Sequence, residues 1–103
     1  MEPKILNILG LAQRAGFIVS GEESVELALS KKNVKIVFVA NDASEKTRDK
    51  FIKKCYFYQV KCNLDFSSIE LSKALGKPRK IVGLIDQGFY VALERLMKWI
   101  YES

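Results

Sequence analysis

Histidine does not occur in this chain of 103 residues. Its absence removes Ser-His-Asp and Cys-His catalysis, histidine-bearing zinc sites and histidine-held haem together. Cysteine is nearly as scarce. Cys55 and Cys62 have six residues between them, which fits neither a C-x-x-C redox pair nor a four-ligand zinc pattern. They read either as a disulfide or, as a cytosolic protein favours, as two buried thiols. No apolar run approaches the roughly 20 residues that span a bilayer, and Met1-Glu2-Pro3-Lys4 does not open a signal peptide. Neither G-x-G-x-x-G nor G-x-x-x-x-G-K-[ST] is present, so neither nucleotide-loop fingerprint applies. Linkers, low-complexity tracts and internal repeats are also missing. The expectation is one soluble, cytoplasmic domain over residues 1–103, with no metal, no cofactor and no membrane partner.

What is present is apolar and basic. Apolar residues make up 49% of the chain, too many for general disorder. A domain this small buries about 60–70% of the surface its unfolded chain exposes, enough for one core. Lysine plus arginine total 17 against 12 Asp and Glu, a net of +5. Residues 31–80 carry +8 of that charge and the two flanks together −3. The excess is either a lysine-rich solvated surface or the footprint of a polyanion, and its concentration in one half favours the second.

Hydrophobic periodicity divides the chain into alternating helices and strands. Ile5, Ile8, Leu9 and Ala12 fall at helical spacing, predicting a helix over 3–15 with Pro3 in its first turn and Gly16 at its end. Gly10, inside that helix, reads as a point of close packing. Phe17-Ile18-Val19 is a short strand, and Ser20 with Glu23 has the spacing of a capping box opening a second helix to about Lys32. Lys35–Ala40 is a strand of the type buried on both faces. Asp42 with Glu45 repeats the capping spacing before a third helix over 44–58, whose Phe51, Ile52, Cys55 and Tyr58 face inward while Lys46, Lys50, Lys53 and Lys54 stay wet. Residues 59–64 alternate like a strand, and Ser67 with Glu70 caps a fourth helix ending at Gly76. The basic loop Lys77-Pro78-Arg79-Lys80 leads to the strand Ile81–Ile85. Asp86 then caps a last helix with Phe89, Leu93, Leu96 and Ile100 on one stripe. This αβαβαβαβα order, with short connections, suggests a largely parallel sheet between helix layers.

Few residues lend themselves to chemistry. Asp42 and Asp86 each follow a buried strand and precede a helix, where aspartate is a good cap. No nucleophile–base pair can be assembled, so an enzyme is not expected. Binding has more support. The run Ser20-Gly21-Glu22-Glu23-Ser24 leads into a helix start, where free N–H groups and the positive dipole end suit phosphates. Glu22 and Glu23 there either compensate the dipole or accept hydrogen bonds from base amino groups. Residues 77–80 either clamp a phosphate backbone or form an ordinary solvated loop. Tyr56, Tyr58, Tyr90 and Tyr101 read as half-buried rings with wet hydroxyls, and no RRM-like aromatic motif stands out.

The ordered pieces Leu9-Gly10-Leu11-Ala12-Gln13-Arg14-Ala15-Gly16, Phe17-Ile18-Val19-Ser20-Gly21-Glu22-Glu23, Val39-Ala40-Asn41-Asp42-Ala43-Ser44 and Leu71-Ser72-Lys73-Ala74-Leu75-Gly76-Lys77 form a pattern over about residues 4–93. In that order and spacing they resemble the ribosomal L-seven-Ae / L-thirty-e family of kink-turn RNA-binding proteins, in particular a bacterial branch of small members. The resemblance implies a three-layer α-β-α sandwich with a small mixed four-stranded sheet, and non-catalytic binding of structured RNA. In relatives that bind kink-turns the second helix begins Gly-x-Asn-Glu-x-x-Lys. Here Glu23 stands in the place of Asn, Ser24 in that of Glu and Leu27 in that of Lys. Carried over position by position, the resemblance implies an RNA site of Gly21, Glu22, Glu23, Ser24, Lys31, Ser44, Lys77, Pro78 and Arg79. Arg14 joins them from its place beside the Gly21 loop in sequence order. The rival reading keeps the fold but makes it a protein-interaction module on the ribosome or on a translation or transcription factor.

Overall fold

A computed structural model describes the backbone of residues 4–102 and the side chains of residues 4–98. Pro3 and the side chains of Ile100 and Tyr101, named above, lie outside the described residues. Nine elements follow in the expected order: α1 (Lys4–Arg14), β1 (Ile18–Ser20), α2 (Glu22–Ser30), β2 (Ile36–Val39), α3 (Glu45–Tyr58), β3 (Lys61–Asn63), α4 (Ser68–Leu75), β4 (Ile81–Leu84) and α5 (Gln87–Glu102).

The sheet has strand order β1-β4-β2-β3. β2 and β3 pair in parallel, but β4 runs antiparallel to both of its neighbours. The largely parallel sheet suggested by helix–strand alternation is therefore corrected to a mixed one, as the family resemblance implies. The cause lies in the connection before β4. The Ser72 hydroxyl of α4 accepts a hydrogen bond from the Arg79 backbone N–H at 3.0 Å, folding the chain after α4 back on that helix. The Lys80 carbonyl then accepts from Ala40 N–H at the end of β2. The chain re-enters the sheet at the end it left, so β4 runs in the opposite direction.

Side chains of the central strands alternate between two cores, as the period of a strand demands. Ile36, Phe38, Val82 and Leu84 face α1, α4 and α5, joining Ile5, Leu9, Leu71 and Leu93. Val37, Val39 and Ile81 face α2 and α3, joining Val25, Leu29, Phe51 and Cys55. Both central strands are buried throughout. On α3, Phe51 and Cys55 are buried and Tyr58 is partly so, but Ile52 is 42% exposed. It lies 100° round the helix from Phe51 and falls off the inward stripe. Tyr56, expected to be half buried, is 86% exposed, for the same geometric reason. Tyr58 and Tyr90 are partly buried, and the two cysteines are free thiols, Cys55 buried and Cys62 partly so.

Two of the four expected caps form as the spacing predicts. The Ser67 hydroxyl and the Glu70 carboxylate make a reciprocal capping box at α4, and Asp86 accepts from Phe89 N–H at 2.9 Å at the start of α5. The other two are corrected. α2 is capped by Gly21 at φ +93°, with no side-chain cap bond, a backbone conformation that an L side chain resists. Ser20 ends β1 and accepts instead from the Arg79 guanidinium. α3 is capped by Ser44, which accepts from Thr47 N–H at 3.2 Å. A turn closed by Ala43 N–H on the Ala40 carbonyl separates Asp42 from that helix. Asp42 turns to α4 and accepts from both the backbone N–H and the hydroxyl of Ser68, each at 2.8 Å.

Gly10 packs as expected: a Cβ there would lie 3.0 Å from the Ala74 carbonyl oxygen of α4. An exposed helical Gly→Ala change gains up to about 1 kcal/mol. Here the obstacle is backbone, and Gly10→Ala instead lowers stability by about 1–3 kcal/mol, measured by urea unfolding. The Ser68 hydroxyl, then the Ser68 N–H, hold the Asp42 carboxyl below its ordinary value of 3.8. A carboxyl lowered by folding stabilises fully above its ordinary value and loses that share as pH falls through the lowered one. Unfolding midpoints of the wild-type chain drop across that window, and Asp42→Asn flattens this part of the acid limb.

Candidate functional site

β1, β2 and β3 all end at one edge of the sheet, where α2, α3 and α4 begin and where β4 starts. A groove of about 780 Å³ opens there. Gly21 and Glu22 at the start of α2, Ser44 and Thr47 at the start of α3, and Ser68 and Ile69 at the start of α4 form its walls. Three helix N-termini thus converge on one opening. Each brings the positive end of a dipole; α2 has no side-chain cap, whereas the Thr47 N–H of α3 is taken by Ser44 and the Ser68 and Glu70 N–H groups of α4 by Asp42 and Ser67. Ser72 and Lys73 of α4 and residues 77–80 complete the lining.

The charge of the lining is one-sided. Lys73, Lys77, Arg79 and Lys80 share the lining with one carboxylate, Glu22, and a second, Asp42, is held against the lining residue Ser68. Glu22 is itself 3.7 Å from Lys50 of α3, and Lys50 also pairs with Glu26. That bond to Glu26 is the main cause that holds the Lys50 ammonium above its ordinary value. Lys73, Lys77 and Lys80 are exposed, and none of them is in an ion pair among the described residues. Arg79 is less free. Its Nε donates to the Ser20 hydroxyl at 2.8 Å and its Nη1 to the Pro78 carbonyl at 2.7 Å. Those bonds use two of the five guanidinium donors and tie the basic loop to β1 as Ser72 ties it to α4. An anion in the groove would meet a hydrogen-bonded backbone frame with exposed lysines around it.

Six of the residues singled out in the sequence meet here: Gly21, Glu22, Ser44, Lys77, Pro78 and Arg79. Glu23, Ser24 and Lys31 do not line the groove. With Leu27, which is 55% exposed, they occupy the solvent-facing side of α2 that continues from Gly21. Arg14 is not brought to the site. It ends α1 next to the start of β1, whereas the groove opens at the strand's other end. Closeness to Gly21 in sequence is undone by the strand between them. Thr47, Ser68, Ser72, Lys73 and Lys80 were not singled out as site residues. Lys80 carried a signal, as part of the basic loop, but Lys73 reads in sequence like any solvated helical lysine. Among the described residues no group of three potential metal ligands is present, and no helix is long and apolar enough to cross a membrane.

Comparison with known proteins agrees with this architecture. The RNA-binding protein YlxQ of Enterococcus faecium is 43% identical over 95 residues, covering 92% of each chain. The RNA-binding protein YlxQ of Bacillus subtilis (strain 168) is 39% identical over 83 residues, 80% of this chain and 83% of its own. A solved protein of unknown function from Bacillus halodurans superposes with TM-score 0.86 at 35% identity, over 92% of this chain and 97% of that one. The Giardia lamblia 15.5kD RNA binding protein superposes with TM-score 0.79 over 99% of this chain and 92% of its own, at 12% identity, a likeness of fold alone. Residues 3–93, all but the first two residues and the last ten, match a single family model. On that match and on relatives similar over most of their length, the chain belongs to the Ribosomal protein L7Ae/L30e/S12e/Gadd45 family.

Proposed function

We propose that this chain is a non-catalytic RNA-binding protein that takes a folded RNA of the kink-turn type in the groove at the starts of α2, α3 and α4. The observation that carries this reading is the convergence of three helix N-termini with Lys73, Lys77, Arg79 and Lys80 around one opening. Backbone N–H groups and lysines contact phosphates and set affinity, while base edges are read by side chains. The exposed side of α2 is the place for that second task. There Glu23, Ser24 and Leu27 replace the Asn, Glu and Lys that the family resemblance implies. Phosphate contact and RNA shape then carry more of the recognition than base reading does. The relatives named RNA-binding protein support the same class of ligand.

A protein-interaction role remains the second reading, favoured by the half-exposed Leu27 beside the acidic start of α2. Partners that stay bound to the chain after nuclease treatment would support it.

Fluorescence anisotropy with a labelled kink-turn, a plain duplex of equal length and transfer RNA, each at two salt concentrations, tests the reading. The expected result is a preference for the kink-turn with a clear salt dependence. Replacing Lys73, Lys77 and Lys80 with Gln lowers the slope of log affinity against log salt by about 0.7–0.9 for each lysine in phosphate contact. An unchanged slope removes the groove from the site. Glu23→Asn returns an amide donor and removes a negative charge beside the phosphates. It raises kink-turn affinity several-fold, about tenfold at most, and leaves the plain duplex affinity within twofold in the same assay.

A further inference from the structure

The side of α3 turned away from the core carries a pattern the groove does not use. Lys46, Lys50, Lys53 and Phe57 recur at i, i+4, i+7 and i+11, one stripe along the helix, with Tyr56 beside its end. Tyr56 is 86% and Phe57 76% exposed, the most exposed large apolar side chains among the described residues. Neither packs on either core. Phe57 stands edge-on to the partly buried Tyr58, with ring centroids 4.9 Å apart, so its ring has a fixed neighbour. Together with Lys53 and Lys61 the pair borders a shallow depression of about 670 Å³ between the end of α3 and edge strand β3.

The charges on this face divide by function. Lys50 is held by Glu26 and Glu22, and Lys61 by Glu94. Lys46 and Lys53 are exposed and in no ion pair among the described residues. α3 starts at the groove with Ser44 as its cap, and 14 residues at 1.5 Å each give it a length of about 20 Å. The stripe therefore leads from the groove end of α3 toward the aromatic pair, with Lys46 and Lys53 as its unpaired cations on either side of the engaged Lys50.

We propose that this face of α3 is a track for a single-stranded RNA segment, continuous with the groove, in which unpaired bases stack on Phe57 and Tyr56 while Lys46 and Lys53 follow the phosphates. The inference rests on the groove reading and extends its footprint. Exposed aromatic rings among lysines are the elements of sequence-tolerant single-strand binding, since every base has a π-face. Aromatic anchors serve protein interfaces too, but lysine is depleted around them there. Here Ile52 is the one half-exposed aliphatic side chain on α3, and the rings stand among cations instead.

The test uses a kink-turn hairpin without a tail, the same hairpin with ten unpaired adenosines on its 5′ end, and a third with them on its 3′ end. The expected result is that one tailed hairpin binds roughly tenfold more tightly than the tailless one. Tyr56→Ala with Phe57→Ala abolishes that gain and leaves the tailless affinity and the far-ultraviolet circular dichroism unchanged. Ultraviolet cross-linking from 4-thiouridine in the tail should mark the peptide holding Tyr56 and Phe57. Equal affinity for all three hairpins, or a gain that survives the double substitution, overturns the track. If the wild-type chain binds no hairpin at all, the groove reading fails instead. The free adenosine decamer then decides the track: its binding must be lost in the double variant. A Glu-rich peptide that binds this face while the tails add nothing would assign it to a protein partner and overturn the RNA track.

Discussion

β4 lies antiparallel between β1 and β2, hydrogen-bonded on both sides along Ile81–Leu84, and the site depends on that placement. Because β4 starts at the edge where β1, β2 and β3 end, the basic loop before it lands among the starts of α2, α3 and α4. Hydrogen bonds then hold the edge together. Gly21 N–H donates to the Ile81 carbonyl, Ala40 N–H to the Lys80 carbonyl, and the Arg79 guanidinium to the Ser20 hydroxyl. A fourth strand running parallel would carry residues 77–80 to the opposite edge and leave the helix starts without a basic wall. The buried strands thus position the exposed chemistry.

Electrostatics follow from this geometry. Acidic residues at the start of α2 would oppose a polyanion if they stood alone. Glu22 and Glu26 are instead engaged by Lys50 and Lys54 across the α2–α3 contact, which leaves Lys73, Lys77, Arg79 and Lys80 as the positive charges the groove presents. Glu23 has no such partner among the described residues. Exposed ion pairs of this kind add little to stability. Their consequence here is for the local field, since they partly offset the charge of Glu22 and Glu26. In the proposed function, affinity and specificity would come from different places, cations at the groove and base-reading side chains on the outer side of α2.

α3 links two surfaces of different character. Its first turn, capped by Ser44, belongs to the groove, and its last turn ends in two solvent-facing rings. Burial accounts for Phe51 and Cys55 and gives no reason for Phe57 or Tyr56. The track proposed above would give the two rings a role as stacking surfaces, with Lys46 and Lys53 beside an anionic strand.

Much of this was legible in the residues themselves. Helical and strand periodicity places all nine elements, because burial of one face imposes a spacing that survives in sequence. The Ser67–Glu70 box and the Asp86 cap follow from local geometry alone, a glycine inside a helix pattern marks the close packing at Gly10 without naming its partner, and the ordered motifs from Leu9 to Lys77 point to the family. Of the groove residues, Gly21, Glu22 and residues 77–79 stood out as a helix start and a basic loop, and Ser44 through the family resemblance. The direction of β4 was not legible in the same way, because helix–strand alternation does not say at which end a connection returns to the sheet. Nor were the partners of Ser20 and Asp42. A side-chain acceptor with capping spacing has a competing donor 59 or 26 residues away, and only the folded chain brings the two together. The separation of Arg14 from the groove, the inclusion of Lys73 in it and the exposure of Ile52 and Tyr56 belong to the tertiary structure for the same reason: distance along the chain does not measure distance across a sheet.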